Sequence, residues 1–325
     1  MNEPVLTVED LHVWFELERG GELHAVQGVS FELRPGERFG LVGESGCGKT
    51  TTILALMGLL PSSASVAGRV LLDGEDVLAR GEQSVSPHRW TDIAMVFQGA
   101  MNAFNPVKRI GDQIAEPMKL HGLAEGRSTR QRVGELLERV GIAAARASSY
   151  PHEFSGGMRQ RAALAMALAC KPRVLLADEP TTALDVMVQA QILQLLVDLA
   201  DDFGLLLVLV THDLPIVAQV CERAAVMYAG EIVESGSTDS LYHDPKHPYT
   251  RLLFSATPDL YGEEDVVSIP GTPPRLDREL VGCPFAPRCD RVFEPCASIE
   301  PPLRPTGEGH AAACHLNDPV MRVAS

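Results

Sequence analysis

A glycine-rich segment near the start of the chain has the composition of a phosphate-binding loop. Residues 43–50 read Gly-Glu-Ser-Gly-Cys-Gly-Lys-Thr and fit the P-loop pattern G-x-x-x-x-G-K-[ST]. Glycines let backbone N–H groups curl around phosphates, and the N-terminus of a following helix adds a favourable dipole. We predict that Lys49 reaches the β- and γ-phosphates of ATP and that the Thr50 hydroxyl holds Mg²⁺. The other nucleotide contacts predicted here are Gly43, Glu44, Ser45, Gly46, Cys47, Gly48 and Thr51.

An apolar run farther along the chain ends in two carboxylates. Residues 174–177 read Val-Leu-Leu-Ala, and Asp178 and Glu179 follow directly. We predict that Asp178 orients Mg²⁺ through water and that Glu179 acts as the general base for the attacking water. The competing interpretation is an ordinary strand end with solvated acids, and the preceding P-loop disfavours it.

A serine and two glycines precede these acids. Ser155 is a good helix N-cap, and Gly156 and Gly157 let a phosphate approach the backbone closely. A plain capped helix would explain the three residues if they stood alone. Their position ahead of Asp178 favours a nucleotide contact instead.

Strands and helices must alternate to position these motifs. Residues 39–42 form a buried strand ahead of the P-loop, and a helix is predicted over residues 50–59. The apolar runs 174–177 and 205–210 are separated by a predicted helix over 186–200. Buried strands separated by helices indicate a parallel α/β core.

Two further regions flank this core. The first forty residues alternate apolar and polar side chains and predict an antiparallel β subdomain. Residues of about 99–165 predict a helical insert that contains an amphipathic helix over residues 128–140. Breaks in the helical pattern are predicted at Gly111, Pro117, Gly122 and Gly141.

Charge and hydropathy exclude some classes of function. The net charge is −15 and aromatic residues make up only 5% of the chain, so no nucleic-acid partner is expected. No run of 18 uncharged apolar residues could span a membrane, and the N-terminus lacks a basic segment followed by an apolar one. A cytoplasmic location is expected, where cysteines are thiols or metal ligands rather than disulfides.

The composition changes near residue 258. Eleven of the 23 prolines and four of the seven cysteines lie from Pro258 onward. We therefore predict two domains, residues 1–257 and residues 258–325, with the boundary at about 257–262. The second is too short to build a large core, and small domains of this kind usually contain a metal or disulfides.

Several motifs together resemble the nucleotide-binding subunits of ABC transporters over residues 1 to about 257. Residues 154–161, Phe-Ser-Gly-Gly-Met-Arg-Gln-Arg, resemble the ABC signature, with Met158 where glutamine is common. The resemblance implies roles in nucleotide binding or catalysis for four more residues. Gln98 matches the Q-loop that contacts Mg²⁺, Asp185 the D-loop, His212 the switch histidine at the γ-phosphate, and Phe15 the aromatic residue that stacks on adenine.

The tail resembles the C-terminal extension of oligopeptide and dipeptide importer ATPases. The resemblance rests on residues 283–289 with Cys296 and Cys314, on His-Pro-Tyr-Thr at 247–250, and on residues 102–106 after Gln98. Five, six and seventeen residues separate Cys283, Cys289, Cys296 and Cys314. This spacing is unlike most zinc sites and compatible with a [4Fe–4S] cluster, which similar extensions carry. Zinc is the alternative ligand, and four free thiols are the third possibility.

The resemblance also implies an assembly. ATP is expected between two ATPase subunits at the cytoplasmic face of the membrane. The second subunit is a similar but distinct chain, with a second copy of this chain as the alternative. Two transmembrane permeases and an extracytoplasmic peptide-binding protein complete the importer. Residues 98 to about 117 are expected to dock on a permease, with Phe104 as the apolar anchor; the alternative is that Phe104 packs inside the insert.

Three other functions are considered. A nickel or other small-solute importer lies within the same branch. A non-transport ABC ATPase that works on DNA or ribosomes shares the motifs, but the charge and the single cassette argue against it. A purely structural P-loop protein is disfavoured because Lys49, Asp178, Glu179 and His212 are all present.

Overall fold

The computed structural model describes residues 3–18, 20–99, 103–123, 126–255, 269–278 and 280–318. The strands are β1 Leu6–Glu16, β2 Glu22–Leu33, β3 Arg38–Val42, β4 Ala64–Leu72, β5 Glu75–Asp76, β6 Ile93–Val96, β7 Val174–Asp178, β8 Leu206–Thr211, β9 Arg223–Tyr228, β10 Glu231–Ser237, β11 Arg304–Gly307 and β12 His310–Ala312. The helices are α1 Lys49–Leu56, α2 Glu82–Val85, α3 Ile110–Leu120, α4 Gly126–Arg139, α5 Gly156–Ala167, α6 Val186–Phe203, α7 Leu214–Val220, α8 Thr238–His243 and α9 Pro248–Ser255.

The strands form two sheets. The smaller sheet has the order β2-β1-β4-β5 and is antiparallel throughout. The larger sheet has the order β11-β12-β10-β9-β3-β8-β7-β6. Its five strands from β9 to β6 are parallel, and β10, β12 and β11 continue it in antiparallel fashion. The predicted parallel core and antiparallel β subdomain are both present.

Alternate residues of the parallel strands enter two separate apolar cores. In β8, Leu206, Val208 and Val210 pack into a core shared with α1 and the antiparallel sheet. Leu207 and Leu209 of the same strand pack on the other face, in a core shared with helices α3 to α7. Because both faces are covered, the central strands are almost wholly apolar, as expected for buried parallel strands.

The helical insert differs from its prediction inside α3. Gly111 and Pro117 were predicted as helix breaks, and both lie within the helix. A Cβ atom on Gly111 would come within 2.8 Å of the Ala147 carbonyl oxygen, so glycine permits a close approach between α3 and the turn after α4 that contains Ala147. Pro117 loses one backbone hydrogen bond, but burial of Ile114 and Met118 on the same helix offsets that loss.

The C-terminal extension is joined to the core sheet. Strand β12 pairs with β10, and β11 pairs with β12, so the extension adds the last two strands of the larger sheet. Glu234 of β10 is fully buried and accepts hydrogen bonds from the backbone N–H groups of Lys246 and His247 and from Nε2 of His310. The predicted boundary at about 257–262 lies outside the described residues, and the two-domain division stays a prediction.

Candidate functional site

Four parallel strands bring the predicted catalytic residues to one edge of the sheet. The P-loop follows β3, Asp178 ends β7 and Glu179 follows it, His212 follows β8, and Gln98 lies two residues beyond β6. Strand β8 lies between β3 and β7, and all four strands run in the same direction. Their carboxyl ends therefore meet, which is where ligands bind in open parallel sheets.

The P-loop needs its glycines for both backbone angle and space. Gly43 and Gly48 have φ angles of +153° and +106°. A Cβ atom would lie 2.2 Å from the Met227 carbonyl oxygen at Gly43 and 2.5 Å from the Ala25 carbonyl oxygen at Gly48. Both contacts are with backbone, so neither can relax cheaply. The loop is therefore packed tightly against β9 and β2 from behind.

The ammonium group of Lys49 lies over this loop. Its Nζ donates to the carbonyl oxygens of Gly43 at 2.7 Å and Glu44 at 2.9 Å, and the residue is only 6% exposed. Helix α1 starts at Lys49 itself. The cation is thus held at a helix N-terminus, where two positive features combine to attract phosphate oxygens.

The predicted magnesium residues are adjacent. The Thr50 hydroxyl donates to Oδ1 of Asp178 at 3.2 Å. Burial raises the pKa of Asp178 to about 6, the hydrogen bond from Thr50 opposes this, and the neighbouring Glu179 raises the pKa further. A carboxylate that is costly to ionise in isolation is well suited to a nearby divalent cation, which compensates its charge.

Glu179 is the centre of a hydrogen-bonded group. Its Oε2 accepts from Gln98 Nε2 at 2.8 Å and from the Thr182 hydroxyl at 2.9 Å. Its Oε1 lies 3.0 Å from Nδ1 of His212. Burial acts to raise the pKa of Glu179, but the hydrogen bonds from His212 and Thr182 outweigh it and hold the pKa below its ordinary value. Glu179 is therefore ionised at neutral pH, as a general base must be.

The signature and D-loop residues lie at helix starts outside this group. Ser155 caps α5 by accepting a hydrogen bond from the Met158 N–H at 3.3 Å, and the helix begins at Gly156. A Cβ atom on Gly157 would lie 2.7 Å from Val188 of α6. Asp185 caps α6 in the same way, since it accepts from the Val188 N–H at 3.0 Å. Ser155, Gly156, Gly157 and Asp185 were predicted to contribute to nucleotide binding, and that role stays a prediction.

The side chains of Phe15 and Trp14, which are adjacent on β1, have different surroundings. Phe15 is partly buried against the core that includes α1 and the antiparallel sheet. Trp14 stacks on His24 with 4.6 Å between ring centroids, and His12 stacks on Trp14 in turn. Trp14 is thus engaged in a histidine stack on the sheet surface. The predicted adenine contact of Phe15 stays a prediction.

Three residues at the site had no role assigned from sequence. Thr182 donates to Glu179, the hydroxyl of Tyr249 accepts from the Glu44 N–H at 2.9 Å, and Arg288 contacts the Glu44 carboxylate. Thr182 is close to Glu179 in sequence, so a search for hydroxyl side chains just after the acidic pair could have found this contact. Tyr249 and Arg288 are distant in sequence, and only folding brings them to the P-loop.

The segment after Gln98 also differs from its prediction. Phe104 was expected to be the apolar anchor for a permease, with packing inside the insert as the alternative. It is only 6% exposed and packs in the core of the insert, so the structure shows the alternative. Docking of residues 98 to about 117 on a permease stays a prediction. The side chain of Gln113 fixes the preceding turn by hydrogen bonds to both backbone groups of Asn105. Val107 in that turn is 79% exposed instead. Asn102, part of the predicted motif here, lies outside the described residues.

The four C-terminal cysteines are buried or half-buried in the extension. Burial raises the pKa of Cys283 to about 11 and that of Cys314 to about 12, and the neighbouring cysteines raise both further. The Cys283 N–H donates to the carbonyl oxygen of Cys296 at 2.8 Å, while the Cys289 sulfur accepts from the Arg291 N–H. In the parts of the chain that the structure describes, no group of three or more His, Cys, Asp or Glu could hold a metal ion. The predicted [4Fe–4S] or zinc centre is therefore not supported by this arrangement of the described residues.

Sequence comparisons agree with this geometry. The profile of the ABC transporter family matches residues 26–182, and the C-terminal region of oligopeptide/dipeptide transporters matches residues 233–296. A probable peptide ABC transporter ATP-binding protein of Sinorhizobium fredii is 45% identical over 98% of this chain and 97% of the relative. The chain belongs to the ABC transporter family. A dipeptide transport ATP-binding protein of Bacillus subtilis is also 45% identical, over 97% of this ABC chain and 96% of its own length.

A solved structure extends the likeness to three dimensions. An ATP-binding cassette in a dimeric, post-hydrolysis state with ADP and Pi aligns with a TM-score of 0.64 and 28% identity, over 72% of this ABC chain and 98% of that chain. The predicted family, the α/β fold and the ATPase activity are thereby confirmed. Among the described residues, no helix of this ABC chain has the length and apolar character to cross a membrane.

Proposed function

We propose that this chain is the ATP-hydrolysing subunit that powers a peptide importer. The observation that carries this proposal is the combination of a P-loop, an acidic pair and a histidine at one sheet edge with a C-terminal region like that of oligopeptide/dipeptide transporters. The two relatives described above are named for peptide and dipeptide transport. Substrate choice would belong to the other subunits, while this chain supplies the energy.

Different residues of the site bind the phosphates, hold Mg²⁺ and accept the proton. Lys49 and the loop N–H groups bind the phosphates, and Thr50 with Asp178 holds Mg²⁺, aided by Gln98. The chemistry that Mg²⁺ would supply there is neutralisation of the charge on the phosphate oxygens. Glu179 accepts the proton of the attacking water. A carboxylate has about four lone-pair sites, and three of them are used here by Gln98, Thr182 and His212, so one remains for that water.

His212 can serve the γ-phosphate in only two states. When its Nδ1–H donates to Glu179, Nε2 carries a proton only in the imidazolium form. The ring must therefore be charged, or must turn away from Glu179, before it can donate to a phosphate oxygen. Either change would also free or polarise Glu179. His212 thus links the presence of the γ-phosphate to the state of the base.

The assembly is part of the proposal. Ser155, Gly156, Gly157 and Asp185 would face the ATP of a second, similar ATPase subunit across a sandwich, with Phe15 stacked on adenine. Two permeases and an extracytoplasmic peptide-binding protein complete the importer, so this chain would lie peripherally on the cytoplasmic face of the membrane. The turn that contains Val107 would contact a permease.

The experiment is a pull-down of the tagged chain from membranes, followed by mass spectrometry and an uptake assay with labelled di- and oligopeptides. We expect two permeases and a second ATPase in the complex, and uptake that is lost in Lys49→Ala. Uptake of nickel without peptides would reassign the substrate. Copurification with nucleic acid or ribosomes in place of permeases would contradict the transport function.

A metal at the four C-terminal cysteines stays a separate proposal. Its support is the donor set, because Cys283, Cys289, Cys296 and Cys314 are close enough to affect one another's charge. A soft metal would offset the cost of ionising buried thiols. Anaerobic purification followed by metal analysis and a visible spectrum tests it. About four irons per chain with absorbance at about 400 nm would support a cluster. Zinc without iron would replace the cluster with a zinc site, and a metal-free protein with a folded extension would remove the proposal.

A further inference from the structure

The extension inserts an arginine beneath the P-loop. The side chain of Arg288 is only 3% exposed and forms an ion pair with Glu44. Its Nη1 and Nη2 donate to the two carboxylate oxygens of Glu44 at 2.6 and 3.0 Å. Its Nε donates to the Pro270 carbonyl oxygen at 2.8 Å, and Nη1 also lies 3.3 Å from the Tyr228 hydroxyl. The planar guanidinium is thus used in the bidentate manner that fixes direction as well as distance.

Three aromatic rings pack around the Arg288 end of this ion pair. Tyr228, Tyr249 and Phe285 are each at most 1% exposed, and their centroids lie 4.6 to 5.3 Å apart. The guanidinium carbon of Arg288 lies 5.7 Å from the Tyr228 centroid and 5.9 Å from that of Phe285. The rings come from β9, α9 and the extension. The Glu44 side chain is 26% exposed, so solvent screens the pair only in part.

Glu44 is therefore held at both its backbone and its side chain. The Glu44 N–H donates to the Tyr249 hydroxyl, and its carboxylate accepts from Arg288. Its carbonyl oxygen accepts from Lys49 Nζ. A shift of Glu44 would move a carbonyl that anchors the phosphate-binding lysine. Through this one residue the extension can set the course of the loop and the position of Lys49.

The Arg288–Glu44 contact is not needed to attach the extension to the core. The extension is already attached through the β12–β10 pairing, through His310 on Glu234 and through an ion pair between Arg251 of α9 and Asp290. A buried ion pair also has a large desolvation cost, and it often contributes little net stability. The placement of Arg288 on a P-loop residue rather than elsewhere on the core favours a role in the site.

We propose that Arg288 is a positioning residue for ATP binding, which acts on Lys49 and the P-loop through Glu44. The inference rests on the proposed ATP site. The extension thereby forms part of the nucleotide site of this chain, although Arg288 itself touches neither phosphates nor the attacking water. Arg288 therefore governs nucleotide affinity, and the chemical step stays with Glu179.

The test compares variants of the full chain for ATP affinity and, in the assembled transporter, for KM and kcat. Arg288→Gln is expected to weaken ATP binding and raise KM roughly tenfold, equivalent to about 1.4 kcal/mol, with kcat at saturation within about twofold. Arg288→Lys keeps the charge but loses the bidentate geometry, and an intermediate effect is expected. Arg251→Gln removes a neighbouring ion pair of the extension that does not contact the P-loop, and it should leave affinity unchanged.

A double-mutant cycle separates positioning from folding. Arg288→Gln combined with Glu44→Gln should weaken ATP binding by less than the sum of the two single effects. A fall in kcat at unchanged KM would indicate only a smaller folded fraction and would overturn the proposal. If Arg288→Gln does not fold, the Arg288→Lys variant decides by the same readouts. Lys49→Ala tests the proposed ATP site separately from the role of Arg288. Unchanged ATP binding in that variant would reject the site itself rather than Arg288 alone.

Discussion

At the scale of single residues, Glu179 combines a low pKa with one unused acceptor position. Gln98, Thr182 and His212 all donate to it, so its orientation is fixed before any water arrives. Replacement by glutamine keeps the size but removes the charge and the basicity. In Glu179→Gln we expect ATP binding to be retained, while turnover in the assembled transporter falls ~100-fold or more. Nucleotide affinity and ATPase rate, measured on the same preparation, check this.

The control for this prediction is a residue that binds rather than reacts. Lys49→Ala removes the ammonium that lies over the loop, so affinity for ATP itself should fall. Glu179→Gln should also accumulate as a closed dimer of ATPase subunits in the presence of ATP, because nucleotide binds and is not consumed. An ATPase rate near normal in Glu179→Gln would reject Glu179 as the base.

At the scale of elements, the turn before α3 presents one apolar side chain and buries another. Val107 is 79% exposed and Phe104 is 6% exposed. Val107→Asp should keep the melting temperature and weaken association with the permeases roughly tenfold, since a buried aliphatic contact would be replaced by a charge. Phe104→Asp should lower the free energy of unfolding by about 3 kcal/mol or more, because a charge would enter the core of the insert.

Thermal unfolding and co-purification with the permeases measure the two effects separately. Leu120, at the other end of α3, is 76% exposed and supplies the matched control as Leu120→Asp. If Val107→Asp and Leu120→Asp both leave association unchanged, the permease contact lies elsewhere on the insert.

The same elements show what sequence reasoning can reach. The P-loop and the two acids at the end of β7 were predictable, because each is a local motif at the end of an apolar strand, and parallel strands bring such ends together. The breaks at Gly111 and Pro117 were mispredicted because local propensity was overruled by packing of α3. The Arg288–Glu44 contact joins residues 244 positions apart. No local pattern encodes that contact, since it depends on how the extension folds back on β9 and α9.

At the scale of the whole molecule, the extension and the core share a sheet and also a pocket that is lined by titratable side chains. Glu231 of β10 and Glu300 of the extension line one pocket together with His12 and His24 of the antiparallel sheet. Burial raises the pKa of Glu231 to about 7, and the nearby Glu300 raises it further. Burial also lowers the pKa of His24, and the neighbouring His12 lowers it further, so His24 offers little positive charge to compensate at neutral pH.

This arrangement predicts that the protein loses stability as pH rises toward neutrality. The folded pKa of Glu231 exceeds its ordinary value, so the folded state binds the proton more tightly than the unfolded state does. Its contribution is fully present below the ordinary pKa and is lost as pH rises through about 7. Glu231→Gln cannot ionise and should match the parent at pH 4, below the ordinary pKa of the carboxyl group. At pH 8 it should be more stable by about 1–3 kcal/mol. Melting curves from pH 4 to 8 measure this, with the exposed Glu308→Gln of the β11–β12 turn as control. Equal pH dependence in all three proteins would show that Glu231 ionises without cost.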